Sequence, residues 1–116
     1  KKKIVNIWGS GKVKREFMYA LDLADFIWSN IRNIKKIPYY MNVGCGYDTT
    51  IKDYYITIIR KVNHDLELVY DKSKPDGMKQ KLLDISFQRK LKWLPKTSLN
   101  EGIDEAIKFC KKKYGL

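Results

Sequence analysis

The sequence predicts a mixed α/β fold, a small sheet with covering helices, and three observations carry that prediction. Short β-branched runs alternate with segments of helical periodicity along the whole chain. Leu, Ile, Val and Phe make up 32 of the 116 residues, above the level at which a chain fails to bury a core. That length suits one domain, for which burial of roughly two-thirds of the unfolded surface is expected.

The elements follow in order. Ile4 to Trp8 is apolar and β-branched and stops at Gly9-Ser10-Gly11, which makes it a strand running into a turn. Ala24, Ile27, Trp28, Ile31 and Ile34 recur at three- and four-residue spacing behind Asp22, so a helix capped by Asp22 is expected, with Pro38 beyond its end. Tyr40 to Val43 forms a second strand candidate, broken by a tight strand-to-helix turn at Gly44-Cys45-Gly46. Thr50 and Asp53 stand in capping-box register ahead of a helix with Ile51, Tyr54, Tyr55, Ile58 and Val62 on one face. Leu66 to Tyr70 is a further strand, Asp71 to Gly77 a polar loop, and Ser86 to Leu91 a short helix. Ser98 and Glu101 form a second capping box, and Leu99, Ile103, Ala106, Ile107 and Cys110 line the helix they open. Lys111 to Lys113 close it, where a helix C-terminus favours cations.

Charge and cysteine usage exclude several classes of function. Twenty-four basic against thirteen acidic residues leave +11, which points to an anionic partner and excludes an acidic tail or an acidic metal cage. Only Arg15, Arg32, Arg60 and Arg89 carry the guanidinium fork that base reading and bidentate phosphate recognition favour; the rest is lysine. A nucleic-acid-binding module, the alternative of another class, would cluster its arginines, so no nucleic-acid partner is expected. Cys45 and Cys110 lack CxxC spacing and His64 stands alone, so neither a zinc site nor a disulfide framework is indicated, and a reducing, cytoplasmic setting is expected. No apolar run is long enough to cross a membrane, and no signal-peptide pattern follows Lys1, Lys2 and Lys3.

Candidate chemistry is sparse. Gly44-Cys45-Gly46 lacks the third glycine of a dinucleotide fingerprint, and position 49 is threonine. Tyr70 and Lys74 have Tyr-x-x-x-Lys spacing, but Pro75 forbids the helix on which a phenol and an ammonium would meet. His64 reads as a turn residue and Cys110 as core packing. Two clusters remain. Trp8, Gly9, Gly11 and Arg15 suit stacking on a ring and clamping a phosphate, or else a buried strand-end tryptophan beside a surface arginine. Lys72, Lys74, Asp76, Lys79 and Lys81 surround a Pro-Asp-Gly turn and suit phosphates and a sugar hydroxyl, or else a solvated loop.

At these clusters the chain resembles the C-terminal part of the GDP-L-fucose synthase family, within the extended short-chain dehydrogenase/reductases. The matching stretches are Trp8-Gly-Ser-Gly11 with Arg15-Glu16-Phe17, Asp22-Leu23-Ala24-Asp25, Asn42-Val43-Gly44 with Gly46, Asp71 with Ser73-Lys74-Pro75-Asp76-Gly77, and Lys81-Leu82-Leu83-Asp84. The resemblance implies a GDP-linked 4-keto-6-deoxy sugar, epimerised at C3 and C5 and reduced at C4 with NADPH, or a related GDP-4-keto heptose. It implies that Trp8, Arg15 and Asp76 contact the nucleotide sugar, with Lys81 beside them, while the catalytic residues and the NADP(H) loop belong to an N-terminal Rossmann half absent from this chain. Residues 1–116 are then expected to be one substrate-binding domain or fragment, holding no catalytic or cofactor-binding residue and inactive alone, from a homodimeric parent. Tyr19-Ala20-Leu21-Asp22 and Lys79-Gln80 depart from the family's commoner His-Val-Asp-Asp and Pro-Arg, which leaves the sugar open.

Overall fold

Two small sheets, rather than one, organise the chain. The computed structural model describes residues 3–63 and 65–115, so the turn expected at His64 lies outside the described residues. Strand β1 (Lys3–Trp8) pairs in parallel with β4 (Leu66–Asp71), in a register that sets Ile7 beside Tyr70 and Trp8 beside Asp71. The second sheet has the order β3 (Thr49–Thr50), β2 (Lys14–Arg15), β5 (Gln80–Lys81), with β2 antiparallel to β3 and parallel to β5. Four helices accompany them: α1 (Ala20–Asn30), α2 (Ile51–Val62), α3 (Ser86–Lys90) and α4 (Leu99–Tyr114).

These elements do not enclose the core that the length allows. The chain extends 56 × 35 × 18 Å with a radius of gyration of 17.1 Å, against about 13 Å for a compact domain of this length. Its accessible surface is 9231 Å², whereas a compact monomer of this mass exposes roughly 6,600 Å². Among the described residues only Ile7, Phe26, Ile85 and Ile103 are buried apolar side chains. The expected burial of two-thirds of the surface is therefore not reached, because a slab 18 Å thick has little interior.

Local differences from the sequence reading have identifiable causes. Helix α1 starts at Ala20 behind Tyr19, and Asp22 does not cap it. The Asp22 carboxylate is buried and accepts from the Thr97 backbone N–H and hydroxyl, both at 3.1 Å, so a distant partner has claimed it. The stripe Ala24, Ile27, Trp28, Ile31 and Ile34 faces outward, and Phe26 turns inward, edge-on to Trp93 at 5.0 Å. At Ile31 the helix tightens into a 3₁₀ turn that runs to Lys36. The Asn30 amide donates to the Phe26 carbonyl at that point, a local bond that competes with the helix ladder.

Tyr40 to Val43 is not a strand. No described strand lies beside it, and Tyr40 is exposed. Gly44-Cys45-Gly46 is accordingly a loop turn rather than a strand-to-helix turn. What fixes this segment is a side chain. Gln88, fully buried on α3, accepts from the Gly44 N–H at 2.8 Å and donates to the Gly44 carbonyl at 3.0 Å, pairing with the backbone as a strand would.

Both expected helix starts are present. The Thr50 hydroxyl accepts from the Asp53 N–H at 3.0 Å, and Ser98 and Glu101 make the reciprocal capping box. The apolar stripe of α4 outruns its neighbours, however. Ile103 is buried, Leu99 and Ile107 are half-buried, and Ala106 and Cys110 are exposed. Cys110 therefore does not pack in a core, since the end of α4 projects beyond the contact with α2 that Lys61 and Asp104 close at 2.6 Å.

Two outcomes follow for stability. Gln88→Ala leaves the buried Gly44 N–H and carbonyl unpaired, a loss of about 1–3 kcal/mol for each group, and is expected to lower the thermal midpoint by several degrees. Gln88→Glu, which sets a buried carboxyl against the Gly44 carbonyl, should cost at least as much at neutral pH and less in acid, where the protonated carboxyl can donate again; an unchanged midpoint in Gln88→Ala by circular dichroism would refute the role. Hydrogen bonds from the Ser98 hydroxyl and N–H hold the Glu101 carboxyl below the ordinary glutamate range. A carboxylate shifted down by folding stabilises the fold above its unfolded pKa and loses that contribution as the pH falls through its folded value. Ser98→Ala removes the cap at a cost of about 1 kcal/mol near neutral pH. In urea titrations the gap between variant and parent should narrow as Glu101 protonates, and a gap that stays constant into acid would contradict this.

Candidate functional site

The site is built at the carboxyl ends of β1 and β4. Parallel pairing brings both strands out at the same edge, so the turn after Trp8 and the loop after Asp71 leave side by side. One carbonyl ties them together: Asp71 accepts from the Gly9 N–H at 2.9 Å and from the Lys74 N–H at 3.2 Å. Trp8 sits on the outer face of β1 and is 73% exposed. That removes the reading of a buried strand-end tryptophan and leaves a broad aromatic face open. The Lys74 ammonium stands 5.6 Å from the centre of its ring.

Asp76 reaches the neighbouring turn. Its carboxylate accepts from the Ser10 backbone N–H and from the Ser10 hydroxyl, the latter at 2.8 Å. Those bonds, the backbone N–H first, lower its pKa, aided by the charge of Lys12, so it is ionised at neutral pH. Gly9 makes the approach possible. Its φ is +79°, and a Cβ there would lie 2.2 Å from an Asp76 oxygen.

Arg15 and Lys81 stand next to this arrangement. They are register partners across β2 and β5, and the backbone of Lys14 donates to the Lys79 carbonyl at 2.9 Å. Arg15 Nη1 donates to the carbonyls of Lys14 at 2.6 Å and Met78 at 2.8 Å. Its Nε and Nη2 have no protein partner among the described residues, which leaves one edge of the fork for an anion. The four residues singled out from the sequence thus fall into two pairs, Trp8 with Asp76 and Arg15 with Lys81, joined by the stretch from Asp76 to Lys81.

The Gly44-Cys45-Gly46 turn does not suit a dinucleotide pyrophosphate. The Gly44 N–H is taken by Gln88, and the Gly46 N–H donates to Glu16 Oε1 at 2.8 Å. Glu16 Oε2 accepts from the Leu83 N–H at 2.9 Å, so a carboxylate already occupies the place an anion would take. Cys45 donates to the Phe17 carbonyl at 3.2 Å; burial, then the charges of Glu16 and Asp22, push its thiol pKa up, the wrong direction for a nucleophile. Tyr70 lies in β4, one residue before its end, and Lys74 lies in the following turn, so no helix joins them. Among the described residues no cluster of three His, Cys, Asp or Glu side chains could hold a metal ion, and no helix is long and apolar enough to cross a membrane.

Sequence reasoning missed Ser10, Glu16 and Gln88. Ser10 and Glu16 lie within matched motifs, but nothing in their spacing says which backbone groups they would bind. Gln88 carries no signal short of the three-dimensional pairing with Gly44.

Residues 1–44 match the model of the NAD dependent epimerase/dehydratase family. The chain is 46% identical over 105 residues to a GDP-L-colitose synthase of Yersinia pseudotuberculosis, covering 90% of this chain and 34% of that protein. It is 35% identical to the GDP-L-fucose synthase of Escherichia coli, covering 85% and 33%. Among solved structures, a GDP-6-OMe-4-keto-L-xylo-heptose reductase from C. jejuni superposes with a TM-score of 0.86 at 36% identity, over 97% of this chain and 35% of that one. The chain spans about a third of the length of these relatives. Over most of its own length the chain is thus similar to about one third of these GDP-sugar synthases and reductases.

Proposed function

We propose that this chain is the nucleotide-sugar-binding portion of an NADPH-dependent GDP-sugar epimerase/reductase, acting on a GDP-linked 4-keto-6-deoxy sugar as GDP-L-fucose synthases do. The observation that carries the reading is the open edge of the Arg15 guanidinium, held by the carbonyls of Lys14 and Met78 and paired in register with Lys81, on the chain that also carries the exposed ring of Trp8 at the end of β1. A fixed fork suits a diphosphate, a second cation offsets its charge, and an indole face suits an apolar ring or sugar face. Trp8, Arg15, Asp76 and Lys81 form the substrate site in this reading.

The hydride comes from NADPH when that cofactor is bound. The Gly44–Gly46 turn is spoken for, so the cofactor, the proton-transfer groups and the epimerisation groups are assigned to a Rossmann half outside these residues. The outward apolar face of α1 and of the 3₁₀ turn after it, with Ile27, Trp28, Ile31 and Ile34, supplies a surface on which that half would pack, in keeping with relatives three times as long. Two free thiols favour a reducing, cytoplasmic compartment. A second reading, reduction of a GDP-4-keto heptose, is favoured by the fit to the heptose reductase. Turnover of hexose and heptose substrates by the intact enzyme separates the two.

Arg15→Ala is expected to weaken GDP binding by the intact enzyme about tenfold or more, since a charge-assisted hydrogen bond contributes roughly 1.5–3 kcal/mol. Arg15→Lys should recover only part of it, lacking the fork. Calorimetry showing unchanged affinity in Arg15→Ala would remove the phosphate role. The 116-residue chain by itself is expected to give no NADPH-dependent reduction of a GDP-4-keto sugar, because hydride transfer needs the cofactor held against the substrate. Measurable NADPH oxidation by the purified chain would overturn the division of labour.

A further inference from the structure

We propose that Asp76 is a positioning residue that works through Ser10: together they strap the Trp8–Gly11 turn to the Asp71–Gly77 loop and set where the Trp8 ring and the Lys74 ammonium stand. This rests on the nucleotide-sugar reading and narrows the part of Asp76 within it from touching the ligand to arranging the groups that do.

The bonds around Ser10 form a closed set. Its N–H and hydroxyl both donate to the Asp76 carboxylate, one to each oxygen, and its hydroxyl oxygen accepts from the Lys12 N–H at 3.2 Å. Gly9 is buried in the same turn, and its missing Cβ is the space the Asp76 oxygen occupies. Gly9 and Lys74 share the Asp71 carbonyl, so the two loops are joined at two points, one at their roots and one through Ser10. Two attachments fix an orientation where one would leave a hinge. Between them runs the line from the indole to the ammonium, 5.6 Å long.

The electrostatics favour this division of roles. A carboxylate facing a diphosphate would repel it, and although the Asp76 side chain is exposed, its bonds from the Ser10 N–H and hydroxyl disperse part of its charge. Its lowered pKa agrees with those bonds and with the nearby Lys12 charge. Each Asp76 oxygen keeps a second acceptor position beside its bond to Ser10, so a direct ligand contact is the competing role that the test separates.

The test uses the intact protein with Ser10→Ala, Asp76→Ala, the double variant and Ser10→Thr, reading GDP affinity by calorimetry and exchange of the Ser10 amide by NMR. Each alanine variant is expected to weaken GDP about tenfold, and the double variant to be no weaker than the worse single one, because both remove the same strap. Ser10→Thr keeps the hydroxyl and should restore most of the affinity. The Ser10 amide should lose exchange protection in Asp76→Ala without GDP present, while the Gln88 and Ile103 amides keep theirs and report an intact fold. Full affinity in Ser10→Ala beside a loss in Asp76→Ala would make Asp76 a ligand contact and overturn the proposal. Additive losses, or an unchanged Ser10 amide, would overturn it equally. Parent protein that binds no GDP would defeat the nucleotide-sugar reading, and the strap would then stand or fall on the amide exchange alone.

Discussion

Parallel pairing of β1 with β4 is the constraint from which the site follows. Parallel strands exit at the same edge, and in this chain they exit with Trp8 beside Asp71, 63 positions later in sequence. An antiparallel pair would have sent the two loops to opposite ends of the sheet. With both at one edge, a carbonyl, a carboxylate and a serine join them, and the aromatic ring and the ammonium come within 5.6 Å. The carboxyl ends of parallel strands are where open α/β sheets bind ligands, because the loops there are free to vary while the strands hold their roots.

Side chains bound to backbone do much of what a core does elsewhere. Gln88 substitutes for a neighbouring strand at Gly44, Glu16 spans Gly46 and Leu83, and Asp22 joins α1 to the segment ahead of α4. Each satisfies backbone groups that a loop would otherwise present unpaired, and each joins segments distant in sequence. The groove between α2 and β4, ≈ 370 Å³ and lined by Ile56, Ile59, Leu66, Leu68 and Tyr70, marks where helix and strand stand apart. With apolar packing this thin, losing one polar tie removes a large share of what holds its segment.

Elements whose signals are local were legible in the sequence. Thr50 with Asp53 and Ser98 with Glu101 announce helix starts through groups three residues apart, and Ile4 to Trp8 ends at a glycine turn. Signals that need a distant partner were not. Asp22 has the composition of a cap and the function of a tertiary acceptor, because Thr97 lies 75 positions away. Tyr40 to Val43 has strand composition, but a strand exists only as half of a pair. The periodicity of α1 identified a helix without showing which side is buried: the apolar stripe is exposed, and Phe26 is the residue that turns inward. The candidate residues Trp8, Arg15, Asp76 and Lys81 were picked out through motif resemblance, while Ser10 became visible only once two loops were seen to touch.

The charge of +11 takes on two separate roles once the site is laid out. Among the described residues four lysine–carboxylate pairs fall within 4.0 Å, two of them at 2.6 Å. Exposed lysines contribute mainly a diffuse field, which raises the encounter rate with an anion and fades with salt. Retention needs short-range geometry, and there Arg15 differs from every lysine. Its Nη1 is already fixed by two carbonyls, so the ordering of a long side chain is completed on folding rather than on binding. Lys81, its partner across the ladder, adds charge beside a fork whose direction is set. In the proposed reading the lysine surplus would govern arrival, and Arg15, on the central strand β2, would govern orientation.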